Sequence, residues 1–131
     1  YLKPYDERHT CYVDLSRVID KCPSNGTKFL MGDFNARLGH QRPGEQDVIG
    51  PFSFGREAVH RVDVPNRDLL LGFCFVSEYV VCNTLEQVPD EQKVPFMEAG
   101  STLIGQIVPE SYAMLDLILA PLASAAEVPA V

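Results

Sequence analysis

The chain has 131 residues, 46% of them hydrophobic and 22% charged, a globular composition that excludes collagenous, coiled-coil and disordered low-complexity classes. A chain of this size buries roughly two thirds of the surface its unfolded form exposes, so one domain is expected and no disulfide or metal is needed merely to fold. Its net charge of -7 argues against a surface that holds polyanions by bulk electrostatics.

The first predicted element is an amphipathic helix over residues 12–22, where Tyr12, Leu15, Val18, Ile19 and Cys22 recur at intervals of three and four. Pro23 stops it, and Ser24-Asn25-Gly26 turns the chain into Lys28-Phe29-Leu30-Met31, an apolar run that suits a buried strand ended by Gly32. Residues 36–65 are rich in Gly, Pro and charge without a sustained period, which predicts a long irregular segment of the kind that is functional or mobile. A second helix starts at about Asn66, the expected N-cap after Pro65, with Leu69, Leu70, Phe73 and Cys74 on one face. Tyr79-Val80-Val81-Cys82 reads as a strand closed by Asn83-Thr84, and Leu103-Ile104 and residues 112–120 supply two more strands. The sum is an α/β layered domain.

Charge is distributed unevenly along these elements. Residues 1–67 carry ten basic and nine acidic side chains, whereas residues 68–131 carry only Lys93 against nine acids, so a phosphate-facing surface belongs to the first half. There Arg37, Arg42, Arg56, Arg61 and Arg67 alternate with Glu45, Asp47, Glu57 and Asp63, which fits a mixed solvated surface as well as a phosphate-binding rim. The four cysteines, Cys11, Cys22, Cys74 and Cys82, form no CxxC pair and have no His at zinc spacing, so reduced thiols and an intracellular setting, nuclear or cytoplasmic, are expected. No window is apolar enough for a membrane helix, and no membrane partner is expected.

The segment that carries chemistry is Met31-Gly32-Asp33-Phe34-Asn35-Ala36, a carboxylate and a carboxamide two residues apart after a strand. Extended alternation would point both side chains one way and turn Phe34 inward. A carboxylate can orient or deprotonate an attacking water, and an amide N–H can hold a phosphoryl oxygen without adding charge. The competing reading is an Asp and an Asn that only terminate a strand through side-chain to backbone bonds.

In its motifs the sequence resembles the endonuclease/exonuclease/phosphatase superfamily, and within it the apurinic-endonuclease-like domains of LINE-type retrotransposons and the related craniofacial-development-protein-like sequences. The ordered matches are Tyr1-Leu2-Lys3-Pro4, Gly32 through Gly39 (GDFNARLG), Val48-Ile49-Gly50-Pro51-Phe52 with Gly55, Asn66 with Leu69-Leu70 and Phe73-Cys74, and Val81-Cys82-Asn83-Thr84. The resemblance implies part of a four-layer α/β/β/α sandwich of the DNase I type, with residues 1–120 a partial domain and 121–131 an Ala- and Pro-rich tail. It implies a metal-dependent phosphodiesterase acting on DNA, with magnesium or manganese as cofactor and a reverse transcriptase on the same polyprotein. Asp33 would orient or deprotonate the water, Asn35 would hold the scissile phosphate, and Arg37 and Thr102 would face the substrate. Tyr1 would be the active-site tyrosine, and Asp116 would orient a catalytic His.

Departures from that pattern limit the expectation. Relatives place strands with an Asn and a metal-binding Glu before the first residue here and a Ser-Asp-His strand after the last, so the metal ligand set is expected to be incomplete and the fragment weak or inactive. Neither His9, His40 nor His60 follows Asp116 in the chain. Leu103 stands where relatives have a Trp. The alternatives are a phosphatase of the same superfamily and a non-catalytic remnant acting as an interaction module.

Overall fold

The computed structural model describes residues 3–23, 25–53, 65–86, 96–97, 112–113 and 116–127. Helix α1 (Tyr5–Lys21) begins seven residues before the periodic stretch that predicted it. Residues 5–11 have no apolar period, but Pro4 provides an extended entry, Asp6 and Glu7 sit in the first turn and Lys21 in the last, all favourable to the helix dipole. Stacking of Tyr5 on His9 at 5.5 Å adds to this turn. No α1 residue is fully buried; Tyr12, Leu15 and Ile19 pack half-buried on the core, which makes α1 an outer layer.

Strand β1 (Leu30–Asp33) runs through Gly32 instead of ending there. Helix α2 (Asn66–Ser77) leads through Glu78, in the left-handed conformation, to β2 (Tyr79–Val81) and a 3-10 turn at Cys82–Thr84. Strands β3 (Phe96–Met97) and β4 (Tyr112–Ala113) pair as a small antiparallel ladder. Thus the predicted strand over 112–120 is divided, its second part being β5 (Asp116–Pro121), which is followed by a 3-10 helix at Leu122–Glu127. Leu103-Ile104 lies outside the described residues.

The main sheet has the order β1-β5-β2, with both neighbours antiparallel to β5. Leu119 pairs with Leu30 on one side and Val81 on the other, and this row joins Leu70, Phe73 and Cys74 of α2 in the core. Leu119 is 0% exposed, and complete burial of such a side chain is worth about 1.5–3 kcal/mol. The result is a mixed α/β protein. Among the described residues no helix is long and apolar enough to cross a membrane.

One expectation about burial is corrected, and a segment expected to be irregular proves irregular yet contributes to the core. β1 is not a buried strand: it lies at one edge of the three, Met31 is 73% exposed and Phe29 is exposed as well. An apolar run marks a strand, but which faces are covered depends on what packs above them. Conversely, residues 36–53 have no helix or paired strand beyond an Ile49–Val81 bridge, yet Ala36, Leu38, Val48 and Ile49 are core residues.

Arg67 explains how an irregular segment enters the core. It is buried, and not part of a solvated or phosphate-facing series: its Nε donates to Leu38 O at 2.7 Å and its Nη2 to His40 O at 3.2 Å. Its guanidinium also grips both oxygens of Glu45, at 2.6 and 2.7 Å. Arg56 and Arg61 lie outside the described residues. At the other end of the segment, Gly50 N donates to Thr84 Oγ1 at 2.7 Å and Phe52 N to Thr84 O at 3.0 Å. Thr84 Oγ1 in turn donates to Val81 O at 2.7 Å, and Asn83 Oδ1 accepts the Ile118 N–H at 2.8 Å, standing in for a ladder partner where β2 has ended.

All four cysteines are free; Cys11 and Cys22 are exposed, Cys74 and Cys82 buried. Burial pushes the Cys74 thiol up to about 12 and raises that of Cys82. Thiolate reagents should therefore label Cys11 and Cys22 at neutral pH and reach Cys74 and Cys82 only on unfolding, as counted by mass spectrometry in native buffer and in urea.

A Cβ at Gly50 would lie 2.3 Å from the backbone oxygen of Thr84. Gly50→Ala should destabilise the protein by about 2–3 kcal/mol in urea denaturation, because backbone must move to admit it. The hydrogen bond from Arg67 holds the Glu45 carboxyl below the usual carboxylate range, against the opposing effect of burial. Since the unfolded chain takes up that proton first, this stabilisation is complete above the ordinary Glu pKa of about 4.3 and is lost as pH falls through the depressed folded value. Arg67→Ala should cost about 3 kcal/mol near neutrality and flatten that acid limb, as read from melting temperatures between pH 7 and 3.

Candidate functional site

The Asp33–Asn35 segment leaves the end of β1, and the fold gives it a geometry that extended alternation does not predict. Asp33 is the last strand residue, and Asn35 sits at φ 46, in the left-handed region. Asp33 Oδ1 accepts the Asn35 N–H at 2.8 Å, so the carboxylate closes a local turn. Asn is among the few side chains that visit this region readily. Phe34, between them, is half-buried against the core as expected, while Asp33 and Asn35 are exposed.

Strand register places Asp116 of β5 directly opposite Asp33, so the two acidic residues share one end of the sheet. Antiparallel partners have Cα atoms roughly 4.5–5.5 Å apart. Arg37 follows between buried Ala36 and Leu38 and is itself half-buried and partnered. Tyr1 and Thr102 lie outside the described residues.

One member of the site is a residue whose role the sequence misassigned. Asn66 does not cap α2, whose N-cap is Pro65 and has no side-chain cap bond. Its Nδ2 instead donates to Asn35 O at 3.0 Å, and its Oδ1 accepts Arg8 Nη1 at 2.9 Å. Arg8 Nε donates to Lys3 O at 2.8 Å, so the starts of α1 and α2 are tied to the turn after β1. The motif flagged Asn66, but nothing in the local sequence marks Arg8 as its partner, 58 positions away.

Among the described residues no group of three or more His, Cys, Asp or Glu side chains is gathered that could hold a metal ion. The described donors therefore do not fit a self-contained divalent-cation site. What the arrangement offers is an exposed carboxylate with one oxygen engaged in the turn, beside an exposed carboxamide whose backbone is held at both its N–H and its C=O.

No family model matches the chain, and no solved structure matches it at a significant level. Craniofacial development protein 2 from Tragulus javanicus is 33% identical over 95 residues, covering 68% of this chain and 15% of that protein. The Bos taurus protein of the same name is 33% identical over 95 residues, covering 68% of the chain and 14% of its own length. The chain is thus distantly similar to craniofacial development protein 2 and spans about 15% of the curated relatives it matches.

The left-handed turn has a measurable consequence. Asn35→Ala should cost about 1 kcal/mol and Asn35→Gly less than that, in urea denaturation monitored by circular dichroism.

Proposed function

We propose that the chain is a segment of a phosphodiesterase domain of the retrotransposon-endonuclease type, part of a four-layer sandwich, with DNA as its substrate class. The observation that carries this reading is the exposed Asp33–Asn35 turn at the end of β1, with Asp116 opposite in register. The distant similarity to craniofacial development protein 2 supports it.

In this reading the free oxygen of Asp33 receives a proton from the attacking water as the water oxygen bonds to phosphorus and the P–O bond to the leaving alkoxide breaks. The Asn35 amide donates to a phosphoryl oxygen, and Arg37, two residues further on, would face the substrate. Magnesium or manganese would neutralise developing charge in a complete domain, but the described side chains do not make up its ligand set, and no step here depends on it. A reverse transcriptase on the same polyprotein is the neighbour this type of domain implies.

A second reading, a non-catalytic interaction module, is favoured by the Asp33–Asn35 bond itself, since a strand-terminating turn requires no chemistry. Plasmid nicking separates the two. The protein expressed with its flanking reading frame should nick supercoiled DNA in magnesium, and Asp33→Asn should reduce the rate at least about 100-fold without loss of folding. A folded protein that nicks no DNA overturns the endonuclease reading; hydrolysis of a small phosphate ester in its place indicates a phosphatase.

A further inference from the structure

We propose that Asn66 is a positioning residue of this site, holding the backbone of Asn35 so that its side chain is presented in one orientation beside Asp33. The inference rests on the reading of Asp33 and Asn35 as the reacting end of a phosphodiesterase segment.

Both backbone polar groups of Asn35 are held by side chains, the N–H by Asp33 Oδ1 and the C=O by Asn66 Nδ2. Between these two bonds the residue adopts φ 46. A non-glycine residue stays in such a conformation where its surroundings over-determine it. Asp33 alone supplies one restraint; Asn66 supplies the second from a different element.

The Asn66 amide is itself oriented. Arg8 has only donors, so its bond to Oδ1 directs Nδ2 toward Asn35. Arg8 is in turn fastened to Lys3 O. The chemistry requires a carboxamide: a planar group must accept from a guanidinium and donate to a carbonyl, and an aspartate at this position could only accept. Asn is also among the best N-cap residues, yet here it sits one position inside the helix with its cap function unused. Its side chain reaches back 31 residues to the turn instead. Small displacements of a phosphate-holding group lower rates strongly, so a clamp on Asn35 bears on turnover more than on substrate affinity.

The test begins with the 131-residue chain, by amide hydrogen exchange and the φ-sensitive HN–Hα coupling of Asn35 in NMR. Asn66→Asp keeps the acceptor for Arg8 and removes the donor; Asn66→Ala removes both. Each should speed exchange at the Asn35 N–H by at least about tenfold, in line with loss of one restraining hydrogen bond, and change its coupling. Exchange at the Leu119 amide of central β5 should change less than about threefold, showing that the effect is local. In the nicking assay, Asn66→Asp should lower the rate at saturating DNA at least about tenfold with half-saturation within about threefold, and Asn66→Gln should recover part of it. Wild-type exchange and coupling at Asn35 in both variants, or equal acceleration at Asn35 and Leu119, overturns the proposal, as does full nicking activity in Asn66→Asp. A local effect at Asn35 in a protein that never nicks DNA upholds the clamp and overturns the phosphodiesterase reading.

Discussion

A single buried guanidinium holds this structure together where regular secondary structure does not. An irregular segment can enter an apolar core only if its backbone polar groups find partners there. Arg67 supplies partners for Leu38 O and His40 O and closes the account of charge with Glu45. Desolvating such a pair is costly, so its contribution lies less in net stability than in fixing where the segment runs. Ala36, Leu38, Val48 and Ile49 can then pack with α2, β2 and β5.

The candidate site borders this clamp on both sides. Asn35 directly precedes the buried Ala36, and Asn66 directly precedes Arg67, so the same two short stretches anchor the core and shape the turn. The packing is closed at Arg67 and Ala36, which are buried, and open at Asp33 and Asn35, which face solvent. The far end of the same segment is closed by Gly50 against Thr84, which ties the sheet and the loop into one unit.

The elements with strong local signals were legible. Tyr12, Leu15 and Ile19 recur at helical spacing and do pack on the core, and Leu70, Phe73 and Cys74 form the buried face of α2. Signals that depend on neighbours were not. Lys28 to Met31 reads as a buried strand, but β1 starts at Leu30 and is an edge strand with Met31 exposed. Residues 112–120 read as one strand, though β4 pairs with β3 and β5 with β1 and β2. Asn66 reads as a cap because capping is the local use of its side chain, whereas its actual partners are Arg8 and Asn35. Arg67 reads as surface because arginine usually is; only the carbonyls of a distant loop make its burial tolerable.

By itself the sequence determined the mixed α/β class, the Tyr12, Leu15 and Ile19 face of α1, the Leu70, Phe73 and Cys74 face of α2 and the Asp33–Asn35 pair at the end of a strand, because apolar period and turn chemistry are local properties; it did not show that Val18 and Cys22 are exposed. Tertiary structure alone decided that Ala36, Leu38, Val48 and Ile49 of the irregular segment belong to the core, that Asp116 stands opposite Asp33, and that Asn35 is held in a left-handed turn from both sides. Each of these depends on hydrogen bonds or strand register between residues tens of positions apart, and no local pattern encodes such partners.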